Sequence, residues 1–241
     1  MEKLSLDAVK NVLILGATGG IGAALVDHLL AANPELTVYT LARSPITNPR
    51  VYCTVCEHIN EASLTDFFAA IPGVKFDLVI NTIGYLVNEL GGPEKGLRDI
   101  DEKRLLEYFR VNAVITPLLA KALRSHLSST AFAFVVLSAM VGSIGENELG
   151  GWYGYRASKA ALNAFLKNIA IEWKRTHKHS LVLAVHPGTT QTRLSEKFTA
   201  GITHKIHTPS EAAQNICRVV FETPFERSGS FLNWDGRVIA W

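Results

Sequence analysis

Asn11-Val12-Leu13-Ile14-Leu15-Gly16-Ala17-Thr18-Gly19-Gly20-Ile21-Gly22 is the stretch whose reading decides the fold. The first five residues are an apolar run, short enough for a strand buried on both faces. Glycines at 16, 19, 20 and 22 follow directly, and Ala23 to Leu30 then repeats its apolar residues with a helical period. Glycines between a strand and a helix have a mechanism. Their missing Cβ atoms permit a tight turn and close backbone approach, and the helix N-terminus offers free N–H groups to a pyrophosphate. A dinucleotide-binding turn is expected, carried by Gly16, Thr18, Gly19, Gly20, Ile21 and Gly22. A mere connecting loop is the plainer reading, and the flanking strand and helix weigh against it.

Outward from that turn the chain alternates between two periodicities. Strands are expected at 11–15, 36–42, 51–56, 76–81, 131–138, 181–186 and 229–233. Helices are expected at 20–32, 61–70, 101–127 with a break, 155–176 and 209–222. Strands alternating with helices imply a parallel sheet covered on both faces. With right-handed crossovers, the expectation is an α/β, Rossmann-type doubly wound sheet of about seven strands forming one domain over residues 1–241.

Composition narrows the function. Lys and Arg number 24 against 22 Asp and Glu, a net charge of +2, which gives no broad basic field for nucleic acid. The N-terminal residues lack the apolar core of a secretory signal, and no apolar stretch is long enough to span a bilayer. Three cysteines, an odd and low number, fit a reducing, cytoplasmic compartment. Cys53-Thr54-Val55-Cys56 spells C-x-x-C but lies in a strand-like run without a second pair. It reads as core packing, and no metal site is expected. His28, His126, His177 and His179 read as surface residues and His186 as a structural histidine.

Tyr155 and Lys159, in Tyr155-Arg156-Ala157-Ser158-Lys159, stand four apart and share a helical face. An ammonium beside a phenol favours the phenolate and lowers its pKa from about 10 toward neutrality, which makes a general acid/base. No acid stands where a glycine-turn protein for NAD carries one, at the end of the second strand. Ala42-Arg43-Ser44 is there instead, and Arg43 with Ser44 suits the 2′-phosphate of NADP, with NAD the less favoured cofactor.

Over its full length the chain resembles the short-chain dehydrogenase/reductase family. The resemblance rests on GATGGIG at 16–22, Asn81-Thr82-Ile83-Gly84, the Tyr155 and Lys159 pair, and Pro187-Gly188, in the family's order. GGWYGYRASKAALNAF at 150–165 and HPGTTQT at 186–192 are similar to the C-factor and sniffer-type branch. The resemblance implies that Tyr155 protonates a carbonyl oxygen and that Lys159 binds the nicotinamide ribose and tunes the tyrosine. It implies further that Asn112 holds a water for proton relay, and that Asn81, Ile83, Gly84, Pro187, Gly188 and Thr192 line the cofactor. It also implies a homodimer or homotetramer through helices near 112–127 and 157–175.

Two positions depart from the family pattern. The catalytic serine's column, three before Gly142, holds Ala139. Ser138 is one residue early and points to the opposite face of a regular strand, unless a bulge re-aims it. Ser143 is the second candidate, and neither is the third outcome. Leu15 stands where many members carry threonine, at the expense of a local turn hydrogen bond. The expected activity is an NADP-dependent carbonyl reductase or alcohol dehydrogenase. Its substrate would be a small-to-medium carbonyl or alcohol, lined by Leu194, Phe198, Ile202, Trp152 and Tyr153. The alternative is a C-factor-like signalling or sensing protein that binds the dinucleotide with little turnover.

Overall fold

The computed structural model describes residues 1–87, 91–198, 203 and 205–241. Seven strands form one sheet: β1 (Asn11–Leu15), β2 (Thr37–Ala42), β3 (Val51–Val55), β4 (Leu78–Asn81), β5 (Phe132–Leu137), β6 (Ser180–His186) and β7 (Ser230–Asn233). Every neighbouring pair is parallel, in the order β3-β2-β1-β4-β5-β6-β7. Parallel neighbours cannot be joined by hairpins, so crossovers carry the chain back. They hold α1 (Gly20–Ala32), α2 (Glu61–Ala70), α3 (Glu102–Phe109), α4 (Ile115–Leu123), α5 (Tyr153–Thr176) and α6 (Pro209–Glu222).

Strand residues alternate between the two faces, which builds two cores. Val12, Ile14, Val38, Ile80, Val135 and Leu183 pack with Leu25 and Leu29 of α1 and Ile216 and Val220 of α6. Leu13, Leu15, Val79, Phe134 and Val136 pack with Phe67 of α2, Leu119 of α4 and Leu162 and Leu166 of α5. Cys53 and Cys56 are half-buried against opposite cores, and their thiols donate to the carbonyls of Ser44 and His58. His126 departs from the surface expectation. It is buried, its Nδ1 lies 2.9 Å from the Val74 carbonyl, and its ring packs on Phe68.

The expected long helix at 101–127 is three pieces. Between α3 and α4, Arg110–Val114 form a π-helical turn, with Asn112 at its centre. Such wide turns cluster at functional sites. Three helices cap their own N-termini. Asn60 accepts from Ser63 N–H at α2, Asp101 from Arg104 N–H at α3, and Thr208 from Glu211 N–H at α6. Neither Gly19, before α1, nor Trp152, before α5, makes a side-chain cap. Strand order reverses between β1 and β4, and at such switch points the carboxyl ends of the strands leave a crevice. Among the described residues, no helix is long and apolar enough to cross a membrane.

Candidate active site

A cleft of about 930 Å³ opens at those carboxyl ends. Its lining comes from the turns after five strands: Thr18 to Gly22 after β1, Arg43 after β2, Thr82 to Val87 after β4, Ser138 after β5, and Pro187 with Gln191 to Leu194 after β6. Tyr155 and Lys159 reach it from α5.

The glycine turn is built for close approach. Gly16 takes a left-handed φ of 82°, and its N-terminal neighbour's carbonyl is held from the next strand, where Thr82 Oγ1 donates to Leu15 O at 2.8 Å. A Cβ on Gly22 would lie 2.2 Å from Gly16 O, so only glycine lets α1 start this near the turn. The first bond of α1 runs from Ala23 N–H to Gly19 O. The N–H groups of Gly20, Ile21 and Gly22 precede it and have no intrahelical acceptor. This cradle fits a pyrophosphate.

Tyr155 and Lys159 are both buried, at 7% and 3% exposure, and occupy one face of the first turns of α5. Lys159 Nζ donates to the Leu137 carbonyl at 2.9 Å and lies 6.0 Å from the Tyr155 ring centre. The expected lowering of the tyrosine does not occur here. Burial pushes the Tyr155 phenol above its ordinary value and lowers the Lys159 ammonium to about 8. Desolvation penalises both charged forms, and at this separation it outweighs their attraction.

Asn112 does not meet Lys159 directly. Its Oδ1 accepts from Tyr85 N–H at 2.8 Å, and its Nδ2 donates to Tyr85 O at 3.0 Å and Ser158 Oγ at 3.1 Å. It ties the 82–85 turn to α5. Asn81, also buried, accepts from Ile83 N–H at 3.0 Å and donates to Thr116, which shapes the same turn from below. Ile83 and Gly84 line the cleft. Gly188, at φ 77°, lies behind the lining, where an added Cβ would meet His207 and Trp234. Ser44 is exposed next to Arg43, outside the cleft wall.

β5 runs on without a bulge. Ser138 N–H pairs with Val185 O at 2.9 Å, and its Oγ donates to Asn163 Oδ1 on α5 at 2.7 Å. Ala139 packs in the apolar cluster that contains Tyr155, Leu86 and Tyr108. Ser143 is buried beside a separate hollow of about 410 Å³, where its Oγ accepts from Glu146 N–H. Of the expected substrate contacts, Leu194, Phe198 and Trp152 pack against the Tyr155 cluster. Tyr153 faces the separate hollow instead, because consecutive helical residues point about 100° apart. Ile202 lies outside the described residues.

Several neighbours carry no sequence signal. Tyr85 lines the cleft with its hydroxyl buried and unpartnered, and Glu94 reaches the start of α5 across sixty positions. Only the fold brings them there.

A family model described as short chain dehydrogenase matches residues 10–203. The 1-hydroxy-2-glutathionyl-2-methyl-3-butene dehydrogenase of Rhodococcus sp. strain AD45 is 31% identical over 243 residues, covering 97% of this chain and 100% of the relative. The carbonyl reductase Sniffer of D. melanogaster superposes with a TM-score of 0.83 at 22% identity, covering 97% of this chain and 100% of the other. An NADPH-bound carbonyl reductase from chicken fatty liver gives the same TM-score, 0.83, at 26% identity, covering 97% and 99%.

Proposed function

The chain belongs to the short-chain dehydrogenase family, and from that premise we propose an NADP-dependent carbonyl reductase or alcohol dehydrogenase for small-to-medium, largely apolar carbonyls. Its membership makes it a nicotinamide-dependent oxidoreductase. The observation that carries the finer reading is the convergence of the open glycine turn, Arg43, Lys159 and Tyr155 on one cleft.

In this reading Gly16, Thr18 and Gly19 to Gly22 hold the pyrophosphate, and Arg43 with Ser44 holds the 2′-phosphate. Ile83, Gly84, Pro187 and Thr192 frame the nicotinamide end, with Gly188 behind them setting the turn. When bound, the dinucleotide supplies or accepts a hydride at the substrate carbon. Tyr155 delivers the matching proton to the carbonyl oxygen. Its burial suits that task, since a phenol held neutral arrives with its proton in place. Lys159 binds ribose hydroxyls and places a positive charge where a phenolate develops. Asn112 positions the 82–85 turn against α5, and Ser138 acts at one remove by holding Asn163. Leu86, Val87, Trp152, Leu194 and Phe198 exclude water from the reacting centre.

Intact Tyr155, Lys159 and Asn112 favour turnover over a purely sensing role. The test follows NADPH oxidation with a panel of aldehydes and ketones. Tyr155→Phe is expected to lower kcat by about 10²-fold or more while leaving NADPH affinity near wild type. A Tyr155→Phe enzyme as fast as wild type removes the mechanism.

A further inference from the structure

Glu94 is a buried carboxylate that the mechanism above does not use. It is 1% exposed, and its three acceptor groups are all directed at two places. Its backbone carbonyl accepts from Trp152 N–H at 2.6 Å, and its Oε2 accepts from Gly154 N–H at 3.1 Å. Its Oε1 faces Arg104 Nε of α3 at 3.4 Å. Arg104 is itself held by the carbonyl of Asp99, and Asp99 Oδ2 accepts from Lys95 and Gly96 N–H at 3.1 Å each.

The start of α5 needs outside help. Gly150, Gly151 and Trp152 are all left-handed, at φ 62°, 65° and 53°, and Trp152 makes no side-chain cap. A cap residue ordinarily accepts from the second or third N–H of its helix. Gly154 is that second residue, and Glu94 supplies the missing acceptor from another segment. The carboxylate also sits at the positive end of the helix dipole. A Cβ on Gly154 would lie 2.4 Å from the Tyr108 ring, so this first turn is pressed flat on α3. Tyr155 is the next residue, and its ring is bracketed by Tyr108 at 6.1 Å and Trp152 at 6.0 Å.

We propose that Glu94, braced by Arg104, is a positioning residue that caps α5 from outside and fixes where the Tyr155 phenol stands. The inference rests on the reading of Tyr155 as the acid/base. Glu94→Gln keeps an acceptor for Gly154 while removing the charge, and Glu94→Ala removes both. The measurement is kcat, KM and NADPH affinity for both variants, alone and combined with Tyr155→Phe, with thermal melts as a control for folding. Glu94→Ala is expected to lower kcat by about 10²-fold, the scale set by an ångström of misplacement, and Glu94→Gln by less. NADPH affinity should stay within about twofold, because the glycine turn is on another element. Combined with Tyr155→Phe, either substitution should slow the enzyme little further, since both act through one phenol. A Glu94→Gln enzyme with wild-type kcat overturns the proposal. So does a full additive loss in the double variant, or a parallel fall of kcat, NADPH affinity and folded fraction. If Glu94→Ala fails to fold, the Gln pair of variants decides alone. A fully active Tyr155→Phe enzyme fails the underlying reading instead, whatever Glu94 does.

Discussion

At Ser138 the hydroxyl turns into α5 toward Asn163, while one position on, the methyl of Ala139 packs in the cluster around Tyr155. One step along an extended chain reverses a side chain, so Ser138, at the cleft wall, has its hydroxyl engaged by Asn163 while Ala139 faces the tyrosine cluster. Ala139→Ser adds a donor beside the phenol. It is expected to raise kcat for carbonyl reduction by roughly tenfold, part of what an oxyanion donor contributes. Unchanged kcat on a panel of ketones counts against the column assignment. Lys159 carries the pH dependence. Its folded value of about 8 lies below its ordinary 10.5, so the unfolded chain binds more protons between those values. Stability from this group therefore rises with pH above about 8 and is lost as pH falls through it. Under the proposed mechanism catalysis runs the other way, because the neutral amine no longer offsets a developing phenolate. A pH profile of kcat/KM for reduction should fall above about 8, and Lys159→Met should erase that limb. A profile flat to pH 10 removes the role.

Among the elements, α2, α3 and α6 cap themselves, whereas α1 and α5 lack side-chain caps from the residues before them. Those two begin at the cleft. At α1 the free N–H groups remain for a ligand, and at α5 that of Gly154 is taken up by Glu94. Gly22→Ala tests the first case, since its Cβ meets the Gly16 carbonyl at 2.2 Å and the helix must retreat from the turn. Titration should show NADPH affinity weakened by more than about tenfold, one lost strong contact or more. Gly96→Ala is the control, because a Cβ there meets nothing within 4 Å. Equal behaviour of the two variants refutes the cradle. The π-turn at Arg110–Val114 shows where sequence reading stops. Apolar periodicity runs through it from Leu105 to Leu119, and the one local mark is Pro117, whose missing N–H cannot bond the Ala113 carbonyl; nothing local says that the break brings Asn112 to Tyr85.

For the molecule as a whole, ligand binding and folding are linked. At a hundred times its dissociation constant, a ligand specific for the folded state adds about 2.7 kcal/mol. At equal concentrations NADPH should therefore raise Tm more than NADH, and Arg43→Ala should narrow that gap by lowering the NADPH shift alone. Equal shifts in the wild type would argue for NAD. The sheet and its glycine turn were legible because they are local: Asn11 to Gly22 carry strand, turn and helix start without reference to the rest. Tyr155 and Lys159 were legible for the same reason, being one turn apart. Glu94, Tyr85 and Asn163 were not, because their partners lie 60, 27 and 25 positions away, and only packing sets those distances. The ionisation of Tyr155 departs from its expectation on similar grounds. Spacing gives the neighbour, but burial is a property of the assembled core.

Thr82 ties these scales together. Its hydroxyl holds the carbonyl at which β1 enters the glycine turn, and its own backbone begins the 82–85 turn that Asn112 fastens to α5. With Leu15 apolar, the glycine turn takes its side-chain tether from the neighbouring strand. The glycine turn and the 82–85 wall of the cleft are therefore mechanically one part. A change that tilts β4 moves both of these parts of the cleft lining together.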